Sequence, residues 1–227
     1  MHRSDEIRHL HGRGRVFDSV LDTVGDTPCI RVNNLAPSGV RLYVKAEFFN
    51  PAGSVKDRLA LNIIEAAERE GRIMPGQTVV EATSGNTGVG LAIAAALKGY
   101  RCIFTMPDKM SQEKVRLLKA FGAEVIITPT AVPPDHPQNY VQMAKRIVRE
   151  TPGAVLAGQF ENPANPEVHR QTTGREVLAQ MDGPPDAFVA GIGTGGTLTG
   201  VGLALKDLRR DVLVVGVEPA DSPVLSG

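Results

Sequence analysis

TVVEATSGNTGVGLAIAAALKGYRCIFTMP, residues 78–107, decides the fold class. It opens on a short β-branched run at 78–82, turns through small polar residues, and continues as an apolar, Ala-rich helical stretch from about residue 87 to residue 98. Gly99 closes that stretch, because glycine adopts the left-handed conformation that ends a helix at no steric cost. Residues 101–105 are the next strand. Strand, helix and strand in this order form a βαβ unit, whose two strands run parallel.

The same alternation extends in both directions. Upstream, 41–48 reads as a strand and 57–70 as a helix closed by Gly71. Downstream, Ser111 offers an N-cap for a helix running to residue 121, with Gly122 after it and a strand at 124–128. PTAVPPDHPQ, residues 129–138, carries four prolines and is irregular. A helix at 140–150, a strand at 154–157, a helix at 169–181, a strand at 187–192, a helix at 198–208 and a strand at 212–217 complete the pattern. Val- and Ile-rich strands separated by helices predict an α/β chain of parallel sheets covered on both faces. In such folds ligands bind where strand carboxyl ends meet helix N-termini, so the junctions are where chemistry is expected.

Composition removes several classes. Lys plus Arg and Asp plus Glu both total 25 in 227 residues, so zero net charge gives no reason to expect nucleic acid or an anionic membrane as partner. No apolar run is long enough to span a bilayer. The first 15 residues, MHRSDEIRHLHGRGR, lack the apolar centre of a secretory signal. His9 and His11 there suggest a metal tail, but a solvated arm is the preferred reading. Cys29 and Cys102 read as small buried hydrophobes rather than as a disulfide or a metal pair, which fits a reducing cytoplasm. No P-loop, zinc-ligand cluster or nucleophile elbow is present.

Three junctions carry candidate chemistry. In NPAGSVKDR, residues 50–58, Ser54 is placed to cap a helix and Lys56 falls in its first turn. The helix field and desolvation there lower an ammonium pKa, as a Schiff-base or general-base lysine requires; the alternative is a surface lysine lying along the helix. In EATSGNTG, residues 81–88, hydroxyl and amide side chains wrap a helix start and suit a carboxylate, although a well-capped turn accounts for them equally. GIGTGGT, residues 191–197, places glycines where a phosphate could approach a helix N-terminus. It also satisfies G-x-G-x-x-G, with Glu218 22 residues beyond Gly196, the layout of a dinucleotide site. Two anion cradles and one activatable amine suit a phosphorylated carbonyl cofactor plus an amino-acid carboxylate.

These motifs resemble those of the cysteine synthase and cystathionine β-synthase family, whose enzymes use pyridoxal 5'-phosphate (PLP). NPAGSVKDR is similar to its cofactor-lysine motif, EATSGNTG to its substrate-carboxylate loop and GIGTGGTLTG to its phosphate loop. GDTPCIRV at 25–32, QFENPANPEVHRQTTG at 159–174 and VEPADSPV at 217–224 resemble three further blocks in the correct order. The resemblance implies PLP fold type II (tryptophan synthase β-like), with a larger phosphate-binding lobe from residues 1–46 and 154–227 and a smaller lobe from 47–153. It implies that Lys56 holds the cofactor and acts as catalytic base, that Asn86 bonds the ring hydroxyl oxygen, and that Gly193, Thr194, Gly195, Gly196 and Thr197 hold the phosphate. Thr83, Ser84, Asn86, Thr87 and Gln159 would bind the substrate carboxylate.

The implied reaction is β-replacement, making L-cysteine from O-acetylserine and sulfide. MPDKMSQEK at 106–114 and the proline-rich stretch resemble the cystathionine β-synthase branch instead, which uses serine and homocysteine. The family implies a homodimer, and serine acetyltransferase as a possible partner. Family chains continue past this point, so the chain is expected to be C-terminally truncated, without the Ser or Thr that bonds the pyridine nitrogen and with apolar surface exposed. That shortening leaves open an inactive remnant or a binding partner, and the glycine run with Glu218 leaves open a nicotinamide-dependent oxidoreductase.

Overall fold

A computed structural model describes residues 16–223, 225 and 226; the arm bearing His9 and His11 lies outside the described residues. β1 (Cys29–Val32) and β2 (Leu42–Lys45) pair antiparallel, Cys29 opposite Lys45. This pair departs from the expectation of one strand over 41–48. The strand stops at Lys45 because a 3-10 turn, Glu47–Phe49, swings the Glu47 carboxylate onto Arg58, with Nε to Oε2 at 2.7 Å. Cys29, on the edge of this pair, is half-buried rather than buried, whereas Cys102 is buried.

α1 (Lys56–Arg69) starts at Lys56 itself. Ser54 lies one residue too early to be the cap, yet its Oγ accepts the Lys56 N–H at 3.1 Å. β3 (Thr78–Ala82), α2 (Asn86–Lys98) and β4 (Arg101–Pro107) form the expected βαβ unit, and Gly99 ends α2 at φ +76°. α3 (Gln112–Ala120) leads to β5 (Glu124–Thr128), parallel to β4. After α4 (Tyr140–Glu150) the chain crosses back, and the two-residue β6 (Val155–Leu156) pairs with the other edge of β3. The sheet order is therefore β5-β4-β3-β6.

Period-two alternation sorts this sheet into two buried faces. Val79, Cys102, Phe104 and Met106 face the core shared with α1, α2 and α3, while Val80 and Ile103 meet Ala144 of α4 on the other side. The helices lie close. A Cβ on Gly90 of α2 would come within 2.9 Å of the Ala60 Cβ and 3.2 Å of the Lys56 carbonyl oxygen of α1.

The helix expected from residue 169 begins earlier, as α5 (Ala164–Val168), passes through a π-helical turn at His169–Thr173 and continues as α6 (Gly174–Gln180). Its start is hidden in a proline-bearing stretch, where Asn162 Oδ1 accepts the Ala164 N–H at 3.0 Å. Proline is tolerated there because first-turn N–H groups have no partner inside the helix. β7 (Ala187–Gly191), α7 (Gly196–Leu208) and β8 (Leu213–Val217) form a second parallel βαβ unit. Its sheet is covered on one face only: Phe188 packs with Val201 and Leu205, while Val189 and Leu213 stand 58% and 60% exposed. Coverage on both faces holds for the four-stranded sheet and not for this pair.

Candidate active site

Lys56 opens α1, Asn86 opens α2 and Gly196 opens α7, so three helix N-termini supply the residues singled out by the motifs. In the four-stranded sheet, β3 and β6 are the adjacent strands whose connections leave in opposite directions, since β4 and β5 lie on one side of β3 and β6 on the other. A crevice at the carboxyl ends of two such strands is a ligand site in open α/β sheets. The loop 83–85 follows β3, and Gly158, Gln159 and Phe160 follow β6.

A cavity of about 440 Å³ opens there, lined by Lys56, the whole of 82–87, Tyr140, Gln159, Phe160, Gly193 and Thr194. A larger cleft of about 650 Å³ lies behind α1, but its lining mixes Arg69 and Arg72 with Glu70, Glu161 and Glu167, and neither Lys56 nor either candidate anion loop reaches it. The amine and both loops converge on the smaller one. Desolvation lowers the Lys56 pKa below the ordinary lysine value, and no carboxylate pairs with it among the described residues. Such an amine is closer to its nucleophilic, proton-accepting form than a surface lysine.

The walls of the cavity are tied together. Thr87, buried, donates its hydroxyl to Gln159 Oε1 at 2.6 Å. Asn165 Nδ2 donates to the Gln159 carbonyl at 2.8 Å and to Thr194 Oγ1 at 2.9 Å, so the loop after β6 is fastened to the loop after β7. Asn165 Oδ1 is buried with no hydrogen-bond partner and lies where a Cβ on Gly196 would fall, 2.1 Å away. A side chain at position 196 would therefore have to displace Asn165 from its two hydrogen bonds. Gly195, at φ +81°, turns the chain into α7.

Eight of the expected site residues line the cavity: Lys56, Thr83, Ser84, Asn86, Thr87, Gln159, Gly193 and Thr194. Gly195, Gly196 and Thr197 do not. Thr197 instead meets His169 Nε2 through its hydroxyl at 3.3 Å, while His169 Nδ1 faces Thr173 Oγ1 at 2.9 Å. Burial, then the Arg58 charge, pushes the imidazole down to about 4, so it is neutral at pH 7 and one ring nitrogen donates while the other accepts.

Sequence reasoning missed the groups beneath the site. Arg58, 2% exposed, spans Glu47 and Glu176, with Nη1 to Glu176 Oε1 at 2.6 Å and Nη2 to Glu176 Oε2 at 2.7 Å. Burial works against its charge, but the two carboxylates outweigh it and raise its pKa. This pair of forks fastens the start of α1 to α6. Asp57, 4% exposed, accepts the Ala52 N–H at 2.6 Å and leaves Oδ1 without a partner. Glu81, 3% exposed, accepts the Gly158 N–H at 2.7 Å. A glutamate inside the run TVVEA was the available signal, since charged residues are seldom fully buried unpaired.

Residues 20–227 match the family described as pyridoxal-phosphate dependent enzyme. A cysteine synthase of Staphylococcus aureus is 51% identical over 212 residues, covering 92% of this chain and 67% of that protein. A cystathionine beta-synthase of Oryctolagus cuniculus is 47% identical over 211 residues, covering 92% of this chain and 38% of that protein. The crystal structure of a hydrogen sulfide-producing enzyme from Fusobacterium nucleatum superposes with a TM-score of 0.88 at 39% identity, covering 94% of this chain and 69% of that one.

Proposed function

The chain belongs to the pyridoxal-phosphate dependent enzymes, in the cysteine synthase and cystathionine β-synthase family, and from that premise we propose that it catalyses β-replacement on an amino acid, making L-cysteine from O-acetylserine and sulfide. One observation carries the reading: the Lys56 amine and two anion-suited loops open on the same cavity. A desolvated amine at one wall and, at another, Gly193 and Thr194 of the loop that leads into α7 fit an aldehyde-bearing, phosphorylated group.

In this reading Lys56 holds PLP, Asn86 bonds the ring hydroxyl oxygen, and Gly193, Thr194, Gly195, Gly196 and Thr197 hold the phosphate. Bound there, PLP supplies an electron sink for the substrate's α-carbon. Lys56 Nζ takes and returns the α-proton, a task for which its lowered pKa suits it. Thr83, Ser84, Asn86, Thr87 and Gln159 bind and orient the substrate carboxylate. The lobes in this reading divide as 1–46 with 154–227, and 47–153, with residues 1–15, 224 and 227 outside the described residues. The active species would be a homodimer, and serine acetyltransferase a partner whose C-terminus enters the same cavity.

The 47% identity to a cystathionine beta-synthase favours a second reading, with serine and homocysteine as substrates. Assaying both pairs side by side separates the two. The nicotinamide reading loses its support, because the family that matches residues 20–227 is pyridoxal-phosphate dependent.

Protein incubated with PLP should develop a visible absorbance band, and borohydride reduction followed by peptide mass mapping should place the pyridoxyl adduct on Lys56. Lys56→Ala should lose both band and turnover. Protein that stays colourless with added PLP, or an adduct on another lysine, would refute the assignment.

A further inference from the structure

The backbone ladder between β3 and β6 ends where the Ala157 N–H reaches the Val80 carbonyl at 2.9 Å. Gly158 then turns at φ +63° and its N–H has left the ladder. The next acceptor is the Glu81 carboxylate, one residue further along β3, at 2.7 Å. A side chain continues a pairing that the main chain has given up. The backbone and side chain of Gln159 also act to lower the Glu81 carboxyl's pKa, but burial outweighs them and leaves it raised. Gln159 in turn accepts from Thr87 at the start of α2.

We propose that Glu81 is a positioning residue: it draws the Gly158–Gln159 turn against the 83–87 loop, so that anion-binding groups from two distant segments form one wall. This deepens the role proposed above for Thr87 and Gln159, and it rests on that reading. The chemistry favours a carboxylate at position 81. The Gly158 N–H donates to it, and the Gln159 backbone and side chain favour its charged form, so an acceptor-only group suits the position. A glutamine of the same shape turns one acceptor into a donor and sets N–H against N–H.

Two measurements test this on the full chain. Without cofactor, hydrogen exchange of residues 157–160 should speed up about tenfold or more in Glu81→Gln, while β4 keeps its protection. In PLP-loaded protein, the Kd for L-serine, read from the shift of the visible band, should rise about tenfold, with PLP affinity within about twofold of the original. Glu81→Asp keeps the charge but withdraws it by one methylene; it should give the same ordering at smaller size, and it carries the test if Glu81→Gln does not fold. Unchanged exchange at 157–160, or serine and PLP affinity falling together with thermal stability, overturns the proposal. A wild-type chain that forms no PLP band sinks the functional reading instead, and the exchange measurement still decides the role of Glu81.

Discussion

The unit β3–α2–β4 and the unit β7–α7–β8 use the same device, a five-residue strand that ends in a glycine-bearing loop and delivers a helix N-terminus, yet their surroundings differ. β3 has a neighbour on each edge and a core on each face, and its first four residues are buried. β7 has one neighbour and one covered face, so its residues alternate between exposed and half-buried. The local sequence sets the turn and the helix start; the neighbours set how firmly the strand is held. Both units end at the same cavity, the first through residues 82–87 and the second through Gly193 and Thr194.

The comparison can be broken most sharply at its cores. Phe104→Ala, at a fully buried position of β4, should cost about 3–5 kcal/mol in denaturant unfolding. Leu213→Ser in β8 should cost less than about 0.5 kcal/mol. Equal losses would show the two sheets to be equally packed. Next in size is Gly200→Ala. Its Cβ would fall 2.1 Å from the Pro166 carbonyl oxygen and 2.7 Å from the His169 Cβ, so α7 has to shift. We expect a loss of about 1–3 kcal/mol and weakened PLP binding; unchanged PLP affinity would detach the helix packing from the loop it carries.

A further effect is electrostatic and sits on α1, where Asp57 packs against α2 of the first region. Burial pushes the Asp57 carboxyl up to about 6, so between pH 4 and 6 the folded state binds more protons than the unfolded state. Stability contributed by this group therefore falls as pH rises through that window. Asp57→Asn removes the slope, and its stability relative to wild type should rise by about 2 kcal/mol from pH 4 to pH 6. A flat difference across the window would assign the group an ordinary pKa.

The βαβ unit at 78–107 was fully legible because each boundary carries its own signal: β-branched strands, Gly99 beyond the helix and small polar residues between. The β1–β2 pair was not, since four-residue strands hold too few alternations to show a period, and Glu47 leaves the strand for an ion pair with a distant residue. Lys56, Thr83, Ser84, Asn86, Thr87, Gln159, Gly193 and Thr194 were readable as motif residues and meet at one cavity. Arg58, Glu81 and Asn165 stand inside those same motifs, but what they do depends on partners far away in sequence, which no local pattern displays.

The glycine at position 90 acts as a gauge. Because only a hydrogen separates α2 from α1 there, the Lys56 amine and the Asn86 amide are carried on two rods pressed into contact at a fixed point. A methyl group at that point would work as a shim, opening the mouth between the rods from below while every residue that lines it stayed the same. The width of the cavity could then be tuned from a position that does not line it.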